Sequence, residues 1–421
     1  MPVSNTKLES LPHALFLQRV SSHSAATSLE GRLGQGAFLA LRLVDLLAPS
    51  RAGGTVSDDA FHYQSVATDR FCRELRSAAT EGAHIHGVAA AAADARQAAD
   101  VRLLVPALFA YALFLENELR LDEALDVLGT LLEVGGDRLL ATDAVAARLR
   151  IARANRKLNR FDEAEAVYAE AGELAAARGD RYSELLSRIG SASVLWGRGN
   201  LAGAEQAYRS IVPDASGHPD AVARAEHGLG VTLYARGQPD EAAWHAWRAF
   251  ELYEDEDSRL RALNDIGGHL LAVGEVRGAE RALSEVVRRG GGQDNVSNAL
   301  IELMHCASYR RDRVGFARWR ERCEARVQDM PPNIRADFYL KQGIGHARFG
   351  QFGRAETLMN MALEIAGGNR LHEFEFRIER IKSGLRDCEP ALQAEELAAT
   401  EPIIQSEALR EVSASLTVLG A

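Results

Sequence analysis

Apolar residues recur along this chain with two superposed periods. Within short stretches they return at three, four and seven positions, which marks one face of a helix. Over longer distances a pentapeptide ending in Ala returns. RLDEA, RFDEA, NLAGA, QPDEA, EVRGA, RVGFA and QFGRA end at Ala124, Ala164, Ala204, Ala242, Ala279, Ala317 and Ala355, at spacings of 40, 40, 38, 37, 38 and 38 residues. Large or apolar residues follow the Ala at the fourth and seventh positions, as in Leu128/Leu131, Tyr168/Ala171, Tyr208/Ile211, Leu283/Val286 and Met359/Ala362. Twelve residues before the Ala stand Ala112, Ala152, Ala192, Gly230, Gly267 and Gly343, all small enough for two helices to approach closely. The sixth unit has His305 there and Glu321 at its fourth position, so it reads as degenerate.

Leu119, Asn159, Gly199, Gly237, Gly274, Asp312 and Gly350 immediately precede the pentapeptides, and all but the first are types that tolerate a left-handed helix end. Polar or acidic residues restart the next helix, and Pro239 falls where a first-turn proline is welcome. The pattern predicts helix, tight turn, helix, seven times.

A small residue, an Ala twelve later and an aromatic or apolar residue four further resemble the tetratricopeptide repeat, in a long variant of 37 to 40 residues. The resemblance spans roughly residues 100–386 and implies an all-α fold: a right-handed α-solenoid of helix hairpins. It also implies that partners lie on a concave face made by the first helices. Projected onto this sequence, that face takes Arg153, Arg156 and Lys157, then Trp196, then Arg224, His227 and Tyr234, then Asn264, and further on Glu302, Tyr309 and Arg310. Cations pair with carboxylates, an Asn amide bonds an extended backbone on both sides, and exposed aromatics anchor partners. The expected partner is therefore a protein or peptide with acidic or carboxylate character.

Residues 58–98 predict two more helices, 370–399 another pair ending at ELAAT, and 403–419 a last helix that caps the stack. Residues 8–47 read as a helical N-terminal extension of two helices within 1–57. The second is apolar enough to be packed inside or to face a partner, which leaves a homodimer open. The stretch 48–57 reads as the linker to a solenoid over 58–402, and GGGQDN at 290–295 as a turn between repeats.

Composition narrows the class. At 47% hydrophobic and 26% charged, with 36 Gly and 11 Pro, the 421 residues describe a folded chain of helices and glycine turns. No apolar run is long enough to span a membrane and no secretory signal is visible, so a cytoplasmic location is expected. The net charge of −10 disfavours nucleic acid, and residues 1–60 balance five basic against five acidic side chains. Basic residues are nearly all Arg, which with the Ala excess hints at a GC-rich bacterial genome. The Arg-rich stretch 310–326 carries Glu321 and Glu324 at helical pairing distance and reads as a salt-bridged face, and YEDED at 253–257 as a solvated turn.

No catalytic, metal or cofactor site is expected. His84 and His86 diverge on a helix, and Cys72, Cys306, Cys323 and Cys388 are isolated. Gly31–Gly36 lacks the strand and the Lys-Ser/Thr of a phosphate loop. Two function classes follow: a scaffold or adaptor holding a partner in the groove, and a ligand-gated bacterial regulator of the peptide-sensing kind, less readily one that binds DNA. An architecture of N-terminal helices followed by about seven long repeats is shared with bacterial peptide-pheromone receptors.

Overall fold

The computed structural model describes residues 11–22, 28–369, 371–392 and 406–419. All regular structure among them is helical, and the chain divides into two compact units, Met1–Asn200 and Leu201–Ala421. The ELAAT expected to end a helix lies outside the described residues.

Unit 1 contains α1 (Ala14–Ser22), α2 (Leu29–Asp45), the single turn α3 (Pro49–Ala52), α4 (Asp58–Arg76) and α5 (Thr80–Ala98). It continues with α6 (Leu104–Asn117), α7 (Leu121–Gly135), α8 (Ala141–Lys157), α9 (Phe161–Ala177) and α10 (Arg181–Gly197). Neighbours in sequence are neighbours in space, as a helix-hairpin stack requires. The first two helices belong to this core. Phe16, Leu33, Leu41 and Val44 are buried with Ile85, Leu108 and Leu128, and α2 packs on α4, α5 and α7. That contact accounts for the apolarity of α2 without a partner. Charge reinforces it, because the buried Glu81 carboxylate accepts from Arg19 of α1, Tyr111 of α6 and Arg120 beside α7.

Unit 2 contains α11 (Leu201–Asp214), α12 (Pro219–Ala235), α13 (Pro239–Leu252), α14 (Glu256–Ala272), α15 (Val276–Arg289) and α16 (Gln293–Tyr309). After these come α17 (Arg313–Glu324), α18 (Pro332–Arg348), α19 (Phe352–Gly368), α20 (His372–Leu392) and α21 (Glu407–Leu419). Gly290 and Gly291, both at positive φ, turn the chain from α15 into α16. The YEDED segment does more than meet water: Asp255 caps α14 by accepting from the Ser258 amide at 2.8 Å.

Six of the seven anchor alanines are buried, and a small residue twelve before them lets the hairpin close: a Cβ on Gly230 would stand 3.0 Å from the Ala242 carbonyl oxygen. The sixth repeat shifts by one. Ala317 is exposed and Phe316 takes the buried position, while Arg311 rather than Asp312 adopts the positive φ, at 54°. Asp312 instead caps α17 through the Gly315 amide. The small residue twelve before the anchor is replaced by buried Met304, and the bulk of Phe316 is received by Gly345, where a Cβ would overlap its ring.

The last helix does not sit on the final repeat. It packs against α13 and α15, placing Leu409, Val412 and Leu416 among Trp247, Phe250, Leu270 and Ala279. Its apolar positions, spaced three and four apart, form one stripe, and Arg281 fixes its end by donating to the Thr417 hydroxyl at 2.8 Å. Helix α20 is the element that follows α19, and it packs against α19 and α18.

Candidate partner-binding face

The residues expected to share one groove are distributed over both units. In unit 1, Arg153 joins Arg150 in clamping the buried Glu116 carboxylate, at 2.6 and 2.8 Å, so part of its charge is spent inside the fold. Arg156 lies half-buried beside Tyr168, Lys157 is exposed, and Trp196 keeps a buried ring N–H with no hydrogen-bond partner.

In unit 2 the first helices α12, α14, α16, α18 and α20 stand side by side. Residues about one repeat apart therefore face each other across neighbouring helices. His227 bonds the Asp265 carboxylate through Nε2 at 2.7 Å and the Tyr253 hydroxyl through Nδ1 at 3.1 Å. Lys341 donates to Glu302 and, at 2.6 Å, to Asp337. Burial opposes the Lys341 charge, but the two carboxylates outweigh it and raise its pKa.

Two tyrosines stand exposed on this face. The Tyr234 ring lies 4.6 Å from that of His269, and Tyr309 lies under the Arg348 guanidinium, 3.6 Å from ring centroid to cation. Both are 43% exposed, so each offers apolar area and a hydroxyl to an incoming group. His269 is buried with neither ring nitrogen partnered, and burial pushes its pKa down to about 4. His305 is likewise held neutral, by burial and by the charges of Arg348, Lys341 and Arg377.

Three expected residues have other engagements. Asn264 is buried and donates to the Asn295 carbonyl at 3.0 Å, tying α14 to α16. Arg310 turns away to Glu280 on α15 at 2.9 Å. Arg224 bonds Asp220 on its own helix. Asp265, His269, His305, Lys341 and Arg348 were not among the expected residues. The signal that could have found several of them is complementary chemistry one repeat apart, with Asp265 38 after His227 and Lys341 39 after Glu302.

Elsewhere the side chains read as structural. His84 stacks near Phe114 while His86 reaches Asp69, so the pair diverges. No group of three or more His, Cys, Asp or Glu among the described residues is arranged to hold a metal ion. Burial raises the thiol pKa of Cys72 and Cys323 to about 12, which leaves both unreactive near neutrality. On α17, Arg320 pairs with Glu324, whereas Arg318 and Arg322 both lie over the Trp319 ring. No described helix is long and apolar enough to cross a membrane.

The fold is that of the tetratricopeptide-repeat α-solenoids. The apo quorum sensor NprR from B. thuringiensis is similar with a TM-score of 0.51 at 12% identity, covering 81% of this chain and 99% of that one. Aspartyl phosphate phosphatase F from Bacillus subtilis gives 0.48 at 12%, covering 82% and 95%. A tetratricopeptide repeat protein from Parabacteroides merdae gives 0.40 at 12%, covering 65% and 98%. No family model matches the sequence, and no curated protein does.

Proposed function

We propose that this chain is a non-enzymatic, cytoplasmic scaffold or adaptor that binds a protein or peptide segment on the first-helix face of unit 2. The observation that carries this reading is the pair of exposed tyrosines on α12 and α16 beside cations and neutral, buried imidazoles. Tyr234 and Tyr309 supply anchors of the kind that dominate interfaces. Arg348 has no carboxylate in ion-pair range among the described residues, which suits an acidic segment. In unit 1, Arg156 and Lys157 are proposed as a secondary contact.

The test is capture with tagged full-length chain from its native host, beside a Tyr234→Ala/Tyr309→Ala variant. A stoichiometric protein retained by the wild type and lost by the variant supports the scaffold. Equal retention by both overturns the placement.

A second reading, a ligand-gated regulator, draws on the fold shared with the quorum sensor NprR. It predicts a short peptide, rather than a protein, in the acid extract of the purified chain. Such a ligand would raise the melting temperature by binding the folded state alone.

A further inference from the structure

We infer that the end of α18 carries an oxyanion-binding site, centred on Arg348 and completed by Tyr309, His305 and Arg311, that takes a carboxylate or phosphate group. Four half-buried arginines of unit 1 reach a carboxylate: Arg19 and Arg120 reach Glu81, Arg51 reaches Asp45, and Arg150 reaches Glu116. Arg348 does not. Its Nη1 donates to the Ser308 hydroxyl at 2.7 Å and stands 3.4 Å from His305 Nδ1, and the guanidinium lies over the Tyr309 ring. No described carboxylate lies within ion-pair distance of it. Glu302 and Asp337, the nearby acids of the face, are already engaged by Lys341.

A partly buried cation without a counter-ion is costly, and an incoming oxyanion removes that cost. The geometry suits one. A guanidinium has five N–H donors in a planar fork, and stacking on Tyr309 holds the plane fixed while leaving donors unused. Arg311 adds a second guanidinium at the turn after α16, donating to the Arg348 carbonyl and reaching no described carboxylate. It does so from a left-handed backbone, at a position where four of the other repeats have Gly. His305 brings a ring that burial and neighbouring cations keep neutral, so it can donate one N–H without adding charge. Burial also lowers the Arg348 pKa, as expected for a cation lacking its partner.

The site can be tested without knowing any partner. Inorganic phosphate and, separately, sodium acetate are titrated into the full chain, with chloride holding the ionic strength constant. The imidazole resonance of His305, assigned with His305→Gln, and the melting temperature are read together. A saturable shift of the resonance and a rise in melting temperature with either anion support the site, and the more effective anion identifies the group it prefers. Arg348→Gln is expected to weaken binding by about tenfold or more. Because that change disturbs packing on Tyr309, the exposed Arg311→Gln serves as a second variant and should weaken binding severalfold. A saturable response that both folded variants keep at wild-type strength overturns the site, as does no saturable response to either anion. Anion binding in a chain that retains no protein partner would leave this site standing and remove the scaffold reading.

Discussion

The ring of Tyr168 on α9 fills the space that a side chain on Gly190 of α10 would occupy. Tyr208 and Gly228 repeat the relation in unit 2, so the aromatic four residues after an anchor alanine is received by a glycine on the next first helix. Gly190→Ala is therefore expected to destabilise unit 1 by about 2 kcal/mol through overpacking. Gly129→Ala on α7, where a Cβ would meet nothing within 4 Å, should instead stabilise by up to about 1 kcal/mol. Urea unfolding distinguishes them, and equal effects would contradict the packing.

Leu119 ends the turn between α6 and α7 at φ 59° with its side chain half exposed. A non-glycine residue there carries about 1 kcal/mol of strain and contributes little burial in return. Leu119→Gly should raise the melting temperature of unit 1, whereas Gly199→Leu at φ 77° should lower it. A fall with Leu119→Gly would mean that the leucine side chain contributes more than its backbone costs.

His13 joins α1 to the rest of unit 1 by bonding Asp45 at 3.1 Å and Asp126 at 2.5 Å, with Arg51, Arg42 and Glu133 around the same carboxylates. Burial pulls the imidazole pKa down, but the bonds and charges of Asp126 and Asp45 prevail, and the net shift is upward from 6.5. The stabilisation is full below the ordinary value and is lost as pH rises through the raised one. The protection of the amides over 14–22, their exchange relative to the intrinsic base-catalysed rate, should therefore fall as the solution is made alkaline. His13→Asn, which tolerates the φ of 63° at that position, should remove the dependence. Protection that stays constant with pH in the wild type would refute the link.

His269 is buried with both ring nitrogens unpartnered, a state that costs stability. His269→Leu should raise the stability of unit 2 by about 1 kcal/mol. Its pKa is lowered to about 4, so in the wild type stability falls as pH drops below 6.5 and the unfolded state takes up the proton first. The leucine variant should lose that part of the acid sensitivity. Calorimetry at pH 7 and pH 5 reads both effects, and destabilisation at pH 7 would show that the imidazole has a partner after all.

Val412 points from α21 into the core shared by α13 and α15. Val412→Asp places a charge there and should release the helix, costing about 3 kcal/mol. Exposure of Trp247, now 7% accessible, would then shift the fluorescence to longer wavelength. An unchanged spectrum would place α21 elsewhere.

The repeat was legible because its determinants are local: an anchor alanine, a small residue twelve before it and a turn residue at positive φ. Its one error of register arose where bulk was exchanged between helices. Phe316 replaced an alanine and Gly345, on another helix, made room, so neither residue announces the change alone. The candidate face was harder to read. A residue's repeat phase says which helix it occupies but not whether its polar atoms are spent, as Asn264 and Arg310 show by bonding Asn295 and Glu280. Arg348 lay hidden for the complementary reason, because lacking a carboxylate partner is a property of space rather than of sequence.

Helix α21 has a consequence for the order in which unit 2 can form. A stack of hairpins needs only neighbour contacts, so it can nucleate at any repeat and grow in either direction. The seat of α21 on α13 and α15 joins residues more than a hundred positions apart, such as Arg281 and Thr417 at a separation of 136. Such a contact closes a long loop and can form only after its seat exists. Unit 2 should therefore gain its last increment of stability in a late kinetic step and resist shortening from its C-terminal side one repeat at a time.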